Sequence, residues 1–271
     1  MVLEDSGSTG YRLYGITALV DNGAIKVVVF DLFDTLVKWE PERLPLLHWR
    51  ERSTHSTLPW ILPSLQERMG PRFELETFLT VYHDVIDEIN AEREREGIEI
   101  TCQERFDRTL ERLGYSDPAE RSLLAFHVTR VHMDGVRKVT FAPPERSDAV
   151  RRLAPHFRLG LLSNFDDAQC GREVLLDTGV ADLFEAVIIS AEAGLRKPNP
   201  LIYQRILTML HVEPHTILFV GDTPREDVLG PRQAAMRVAW VNGRGTPLPE
   251  GIPEPDLVVA NIAELPALLG V

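Results

Sequence analysis

The chain has 271 residues, 44% of them hydrophobic and 26% charged, with mean hydropathy −0.10, the profile of a water-soluble globular protein large enough to bury a core without disulfides or a structural metal. Acidic residues outnumber basic ones 41 to 29, giving a formal charge of −12 and an isoelectric point near 5.2, so no general attraction draws this surface to nucleic acid or to an anionic membrane. Cys102 and Cys170 lack metal-ligand spacing, the segment Met1 to Gly10 lacks the basic start and apolar run of a secretory signal, and no stretch reaches the ~18 apolar residues of a membrane span. The expectation is a cytoplasmic protein with free thiols.

Residues 1–24 form an N-terminal extension of mixed composition, with a short strand expected at Gly15 to Val20 and no assignable role. Lys26-Val-Val-Val-Phe30 is a continuous β-branched and aromatic run closing on Asp31, as in a strand buried on both faces. From Pro41 to about Lys138 the periodicity is helical, and no strand pair stands out. Leu75, Phe78, Leu79, Tyr82, Val85, Ile86 and Ile89 share one helical face that ends at Gly97. Phe106, Leu110 and Leu113 form a second stripe, stopped at Gly114. Leu123, Leu124, His127, Val128 and Val131 suggest a third. The run Glu92-Arg-Glu-Arg-Glu96 reads as a solvated helix face.

Beyond Phe141-Ala-Pro-Pro144, apolar runs alternate with helical ones. The strands are Leu159–Leu162, Ala186–Ile189, Ile217–Val220, Val238–Val241 and Leu257–Val259; the helices are Arg146–Leu153, Arg172–Thr178, Pro200–Leu210 and Asp227–Ala235. This alternation predicts a doubly wound α/β fold with a parallel sheet, whose ligands sit beyond the carboxyl ends of the strands. Residues 25–38 and 140–271 would form that core, and residues 39–139 a helical insertion.

Four strand-end or loop features would then meet at one sheet edge: Asp31 with Thr35, Ser163-Asn164, Lys197 in Arg-Lys-Pro-Asn-Pro, and Gly221-Asp222 followed by Asp227. Each alone is explained by a turn, a cap or the surface. Together they supply a nucleophile, hydroxyl and amide donors, an ammonium and paired acids. Asp31 suits covalent catalysis. Asp31, Asp222, Asp227 (directly or through water) and the backbone carbonyl of Phe33 offer the hard oxygen ligands that Mg2+ prefers. Thr35, Ser163, Asn164 and Lys197 would hold the substrate, and Lys197 would also offset charge on the nucleophile.

In order and spacing these motifs resemble those of the haloacid dehalogenase superfamily, over about Lys26 to the C-terminus, and in particular the branch with an α-helical cap inserted after the first motif. The resemblance implies a Rossmann-like core, a mobile cap, and in most members Mg2+-dependent phosphate transfer through an aspartyl-phosphate. One position departs from it. Phosphatases of this family carry a second Asp two residues after the nucleophile as general acid, and here that residue is Phe33; Asp34 stands one position further on.

Loss of a general acid is most costly with a poor leaving group, since protonation is typically worth ~10²–10⁴-fold in rate. The first reading is a Mg2+-dependent hydrolase of a small phosphorylated metabolite, an ester or an acyl phosphate, with Asp31 and Lys197 as its catalytic residues. A metal-independent 2-haloacid dehalogenase forming an ester on Asp31 is the second; Phe33 speaks for it and the acidic pair against it. The third is a catalytically weak binding or regulatory protein. His48, Trp49, Arg50 and Trp60 are explained as well by packing as by a site, and oligomeric state is open.

Overall fold

The computed structural model describes residues 25–271, so the extension and its expected strand at Gly15 to Val20 lie outside the described residues. Six strands, β1 (Val27–Phe30), β2 (Arg158–Ser163), β3 (Phe184–Ile189), β4 (Ile217–Gly221), β5 (Arg237–Val241) and β6 (Leu257–Val259), form one parallel sheet in the order β6-β5-β4-β1-β2-β3. The chain runs from β1 outward to β3, then crosses back to the other side of β1. The carboxyl edge of β1 is therefore the topological switch point, where α/β sheets open a crevice.

Alternation along β1 shows why this run became the central strand. Val28 and Phe30 point into the core on one side of the sheet, Val27 and Val29 into the core on the other, and all four are fully buried. Full burial of each such side chain stabilises by roughly 1.5–3 kcal/mol.

Between β1 and β2 the chain inserts four helices, α1 (Leu58–Met69), α2 (Leu75–Glu96), α3 (Cys102–Arg112) and α4 (Pro118–Lys138). The longer core helices are α5 (Pro144–Leu153), α6 (Ala168–Asp177) and α7 (Pro200–Leu210). Among the described residues no helix is long and apolar enough to cross a membrane.

Three details differ from the sequence reading. Residues Leu46–Trp49 and Arg52–His55 form an antiparallel hairpin where no strand pair was expected. Its strands lack β-branched runs, and its turn holds Arg50 at φ 53 in place of the usual Asn-Gly. In α4 the buried face is Leu124, Ala125, Val128, Thr129, Met133 and Val136, while Leu123 is 64% exposed. Small residues allow close helix contact, so the inward face lies beside the one that the largest side chains suggest. The helix expected over Asp227–Ala235 is instead a π-helical turn, Pro224–Leu229, followed by a short helix, Gly230–Gln233.

Candidate active site

Asp31 leaves β1 at the carboxyl edge, its N–H donating to Val220 O of β4 at 2.8 Å. Lys197, fully buried just before α7, places Nζ 2.7 Å from Asp31 Oδ1 and 2.7 Å from Asp227 Oδ1. Asp222 follows β4, and Asp31, Asp222 and Asp227 each turn a carboxylate oxygen to within 4.8 Å of the others. Asp227 comes this close because position 221 is glycine: a Cβ there would lie 2.4 Å from Asp227 Cγ. The π-helical turn carries Asp227 back toward the strand end, where Oδ2 accepts from Thr223 N at 2.9 Å.

Three carboxylates share one ammonium, and their electrostatics reflect the shortfall. Burial pushes the Asp31 carboxyl up to about 7, against the pull of Lys197, with Asp227 adding to the rise. Burial, then the charges of Asp31 and Asp227, push Asp222 up to about 8. Burial disfavours the Lys197 ammonium, but Asp227 and Asp31 outweigh it and hold its pKa above the ordinary lysine value.

The hydroxyls of Thr35 and Ser163 are buried without a hydrogen-bond partner among the described residues, an arrangement that buried polar groups rarely adopt. Such an edge, rich in carboxylate oxygen and short of positive charge, has the donor set of a hard divalent cation, with the unused hydroxyls beside it as donors to an anion. The loop carrying Thr35 is held by Arg146, whose Nη1 donates to the carbonyls of Asp34, Thr35 and Val37 at 2.9–3.1 Å. Asn164 clamps the lysine's backbone: Oδ1 accepts from Lys197 N at 2.7 Å and Nδ2 donates to Lys197 O at 2.9 Å.

Phe33, two residues beyond Asp31, stacks on Phe165 with ring centroids 4.6 Å apart. Its carbonyl lies on the turn directly after Asp31. Asp34 is exposed, with φ 56 in the left-handed region that favours glycine.

Beside the edge, Phe33, Asn164 and Phe165 form one wall of a cavity of about 420 Å³ whose other wall carries Thr57, Arg105 and His132 from the helical block. Asp166, in the loop after β2, joins the two parts. Its Oδ2 accepts from Arg105 Nη1 at 3.0 Å and from Arg93 Nη2 at 3.4 Å. Arg93 also pairs with the buried Glu99 at 2.8 Å, so the Glu92–Glu96 run is a solvated face only in part. Burial, and then Arg105, drive the His132 imidazole down to about 3.

The sequence reading found none of Thr57, Arg105, His132 and Arg146 as site neighbours. They come from separate elements and share no local spacing; only Asp166, ending the run Ser163-Asn-Phe-Asp166, lay within a motif. His48, Trp49, Arg50 and Trp60 do not line the cavity. Trp49 stacks on His83 at 4.6 Å and donates to Glu76, and Trp60 lies under Lys138.

Residues 25–235 match the model of the haloacid dehalogenase-like hydrolases. Phosphoserine phosphatase of Thermus thermophilus is 39% identical over 108 residues, 40% of this chain and 42% of that protein, and human N-acylneuraminate-9-phosphatase is 34% identical over 118 residues, 43% of this chain and 47% of that one. The chain thus spans less than half the length of these curated relatives. Among solved structures, a 2-haloacid dehalogenase from Pseudomonas syringae superposes with a TM-score of 0.68 at 26% identity, over 90% of this chain and 98% of the other. With the motifs in order along a six-stranded parallel sheet and the family model covering most of its length, the chain belongs to the haloacid dehalogenase-like hydrolases.

Proposed function

We propose that the protein is a Mg2+-dependent phosphatase of a small phosphorylated metabolite in the cytoplasm, with Asp31 as nucleophile and residues 39–139 as a cap over the site. The observation that carries this reading is the meeting of Asp31, Asp222 and Asp227 within 4.8 Å around a single ammonium. Asp31, Asp222, the Phe33 carbonyl and Asp227, directly or through water, would hold the ion. When bound it would neutralise phosphate charge and offset the clustered carboxylates.

The residues themselves account for the rest. Asp31 Oδ attacks phosphorus as the bond from phosphorus to the leaving oxygen breaks, giving an aspartyl-phosphate. Water then attacks the same phosphorus, the bond to Asp31 breaks, and inorganic phosphate leaves with the carboxylate restored. Lys197 orients Asp31 and balances charge, while Thr35 and Ser163 offer their unused hydroxyls to phosphoryl oxygens. Phe33 has no proton to give, so the leaving group must depart as a stable anion; an acyl phosphate or activated ester meets that condition.

Purified protein should release phosphate from acetyl phosphate and p-nitrophenyl phosphate with Mg2+, stop in EDTA, and lose at least ~10³-fold on Asp31→Asn. Turnover indifferent to EDTA would sink the reading. A second reading, metal-independent 2-haloacid dehalogenase, is favoured by the Phe33–Phe165 stack, which makes an aromatic wall where an acid would stand. Chloride release from a 2-chloro acid in the presence of EDTA would establish it instead.

A further inference from the structure

The helical wall of the cavity holds a chain of hydrogen bonds whose polarity follows from valence. Arg105 donates through Nη1 to Asp166 Oδ2 at 3.0 Å and directs Nη2 at His132 Nε2, 3.3 Å away. A guanidinium accepts no hydrogen bond, so Nε2 must be the lone-pair nitrogen, and the neutral imidazole carries its hydrogen on Nδ1. Nδ1 is in hydrogen-bond contact with Thr57 Oγ1 and therefore donates to it. The hydroxyl's own hydrogen is left over.

Thr57 is also turned away from its ordinary task. It stands at the N-cap of α1 but accepts no bond from that helix; Ser56 Oγ accepts from Leu58 N at 3.1 Å instead. Its methyl group is held against α4 at Gly135, where a Cβ would come within 2.7 Å of Thr57 Cγ2. Packing fixes one side of the side chain and His132 the other. The residue is 2% exposed, yet it lines the cavity that Phe33 and Asn164 line from the sheet side. A buried donor without an acceptor is costly, so this hydrogen has a partner to find in the cavity.

We propose that Thr57 is a specificity-determining donor, giving its hydrogen bond to a carbonyl or carboxylate oxygen on the organic part of the substrate, with His132, Arg105 and Asp166 as the positioning residues that aim it. The proposal rests on the phosphatase reading of the Asp31 site. No proton moves along the chain: His132 giving up Nδ1–H would leave an imidazolate, so Thr57 does not replace the acid missing at Phe33. Hydrocarbon adjoining the acceptor would lie against the Phe33–Phe165 stack.

The test is calorimetric binding of two non-hydrolysable probes to the full chain with Mg2+: benzoylphosphonate, which has a carbonyl beside the phosphonate, and benzylphosphonate, which lacks it. Thr57→Val should weaken benzoylphosphonate about 5–10-fold and benzylphosphonate less than ~2-fold, the loss of one hydrogen bond, while Thr57→Ser, which keeps the hydroxyl but not the packed methyl, should still bind benzoylphosphonate better than Thr57→Val does. His132→Gln, which can still accept from Arg105 and donate to Thr57, should keep the discrimination; His132→Leu should lose it. Equal losses for the two probes, or none, overturn the proposal and leave Thr57 a packing residue. If Thr57→Val fails to fold, the contrast between His132→Gln and His132→Leu decides in the same way. If neither probe binds the wild type, the phosphatase reading itself falls, and the role of Thr57 with it.

Discussion

The sheet edge of Asp31, Asp222 and Asp227 and the helical wall of the cavity beside it have opposite charge balance. At the edge, Asp31 and Asp227 pair with Lys197, while among the described residues Asp222 has no ion pair and the hydroxyls of Thr35 and Ser163 have no hydrogen-bond partner. On the wall, Asp166 is answered by both Arg93 and Arg105, and His132 is engaged at both ring nitrogens. Burial is similar, and each side has unpartnered donors among the described residues, including Arg93 Nε and Arg105 Nε on the wall; the balance of charge is what differs. A buried cluster with excess negative charge is arranged for a cation that balances it, whereas one whose charges are paired holds a shape. On the proposed reading the edge carries the chemistry, and the wall fixes what faces it.

Removing Lys197 tests the edge most severely. Lys197→Met keeps most of the apolar stem but leaves Asp31 and Asp227 as buried carboxylates without their cation. Breaking a buried pair in this way costs about 3–5 kcal/mol. The urea midpoint should fall accordingly, and Mg2+-dependent turnover should disappear. A loss below ~1 kcal/mol would mean that the edge is already balanced without the ammonium, and the contrast with the wall would fail.

Legibility follows the same division. Apart from Asp227, which the π-helical turn carries back, every edge residue sits at or just beyond a strand end or in a loop leading into a helix, so once the apolar runs are read as parallel strands their polar endings must meet on one side. That reasoning reached Asp31, Ser163, Lys197, Asp222 and Asp227 from the sequence. The wall is assembled from positions 57, 105, 132 and 166, brought together by helix packing that no periodicity encodes. The misplaced face of α4 has the same origin, since Ala125, Thr129 and Gly135 turn inward for closeness while Leu123 points out. Asn164 was read as a donor to phosphate because its place in the motif suggests it; its hold on both backbone polar atoms of Lys197 is a tertiary fact.

The wall is tested through pH. His132 is held neutral in the folded protein down to about pH 3, by burial and then by Arg105, while an unfolded histidine titrates near 6.5. Between these values the unfolded chain binds the additional proton, so stability falls as pH falls, by up to ~1.4 kcal/mol per pH unit. From pH 7 to pH 5 this group should cost the wild type roughly 2 kcal/mol, a loss that His132→Gln is spared. The difference between the two urea-derived pH slopes isolates His132 from the other groups titrating in that window. Parallel slopes would show that the folded ring takes up its proton as readily as the unfolded one and that its bond from Arg105 has been misassigned.

Ser163→Ala gives the smallest effect on stability and separates the two regions most cleanly. Deleting a hydrogen-bonded buried hydroxyl usually costs about 1 kcal/mol or more. Ser163 Oγ has no such bond to lose, and the alanine methyl fits where Cβ already sits. Stability should change by less than ~0.5 kcal/mol. Turnover of acetyl phosphate should still drop, by about 10-fold, because the hydroxyl would be engaged only when a phosphoryl group is present. A stability loss matching an ordinary buried hydrogen bond, with turnover unchanged, would give Ser163 a structural partner and remove it from the site. The stated combination, unchanged stability with reduced turnover, is what an incomplete edge predicts and a saturated one does not.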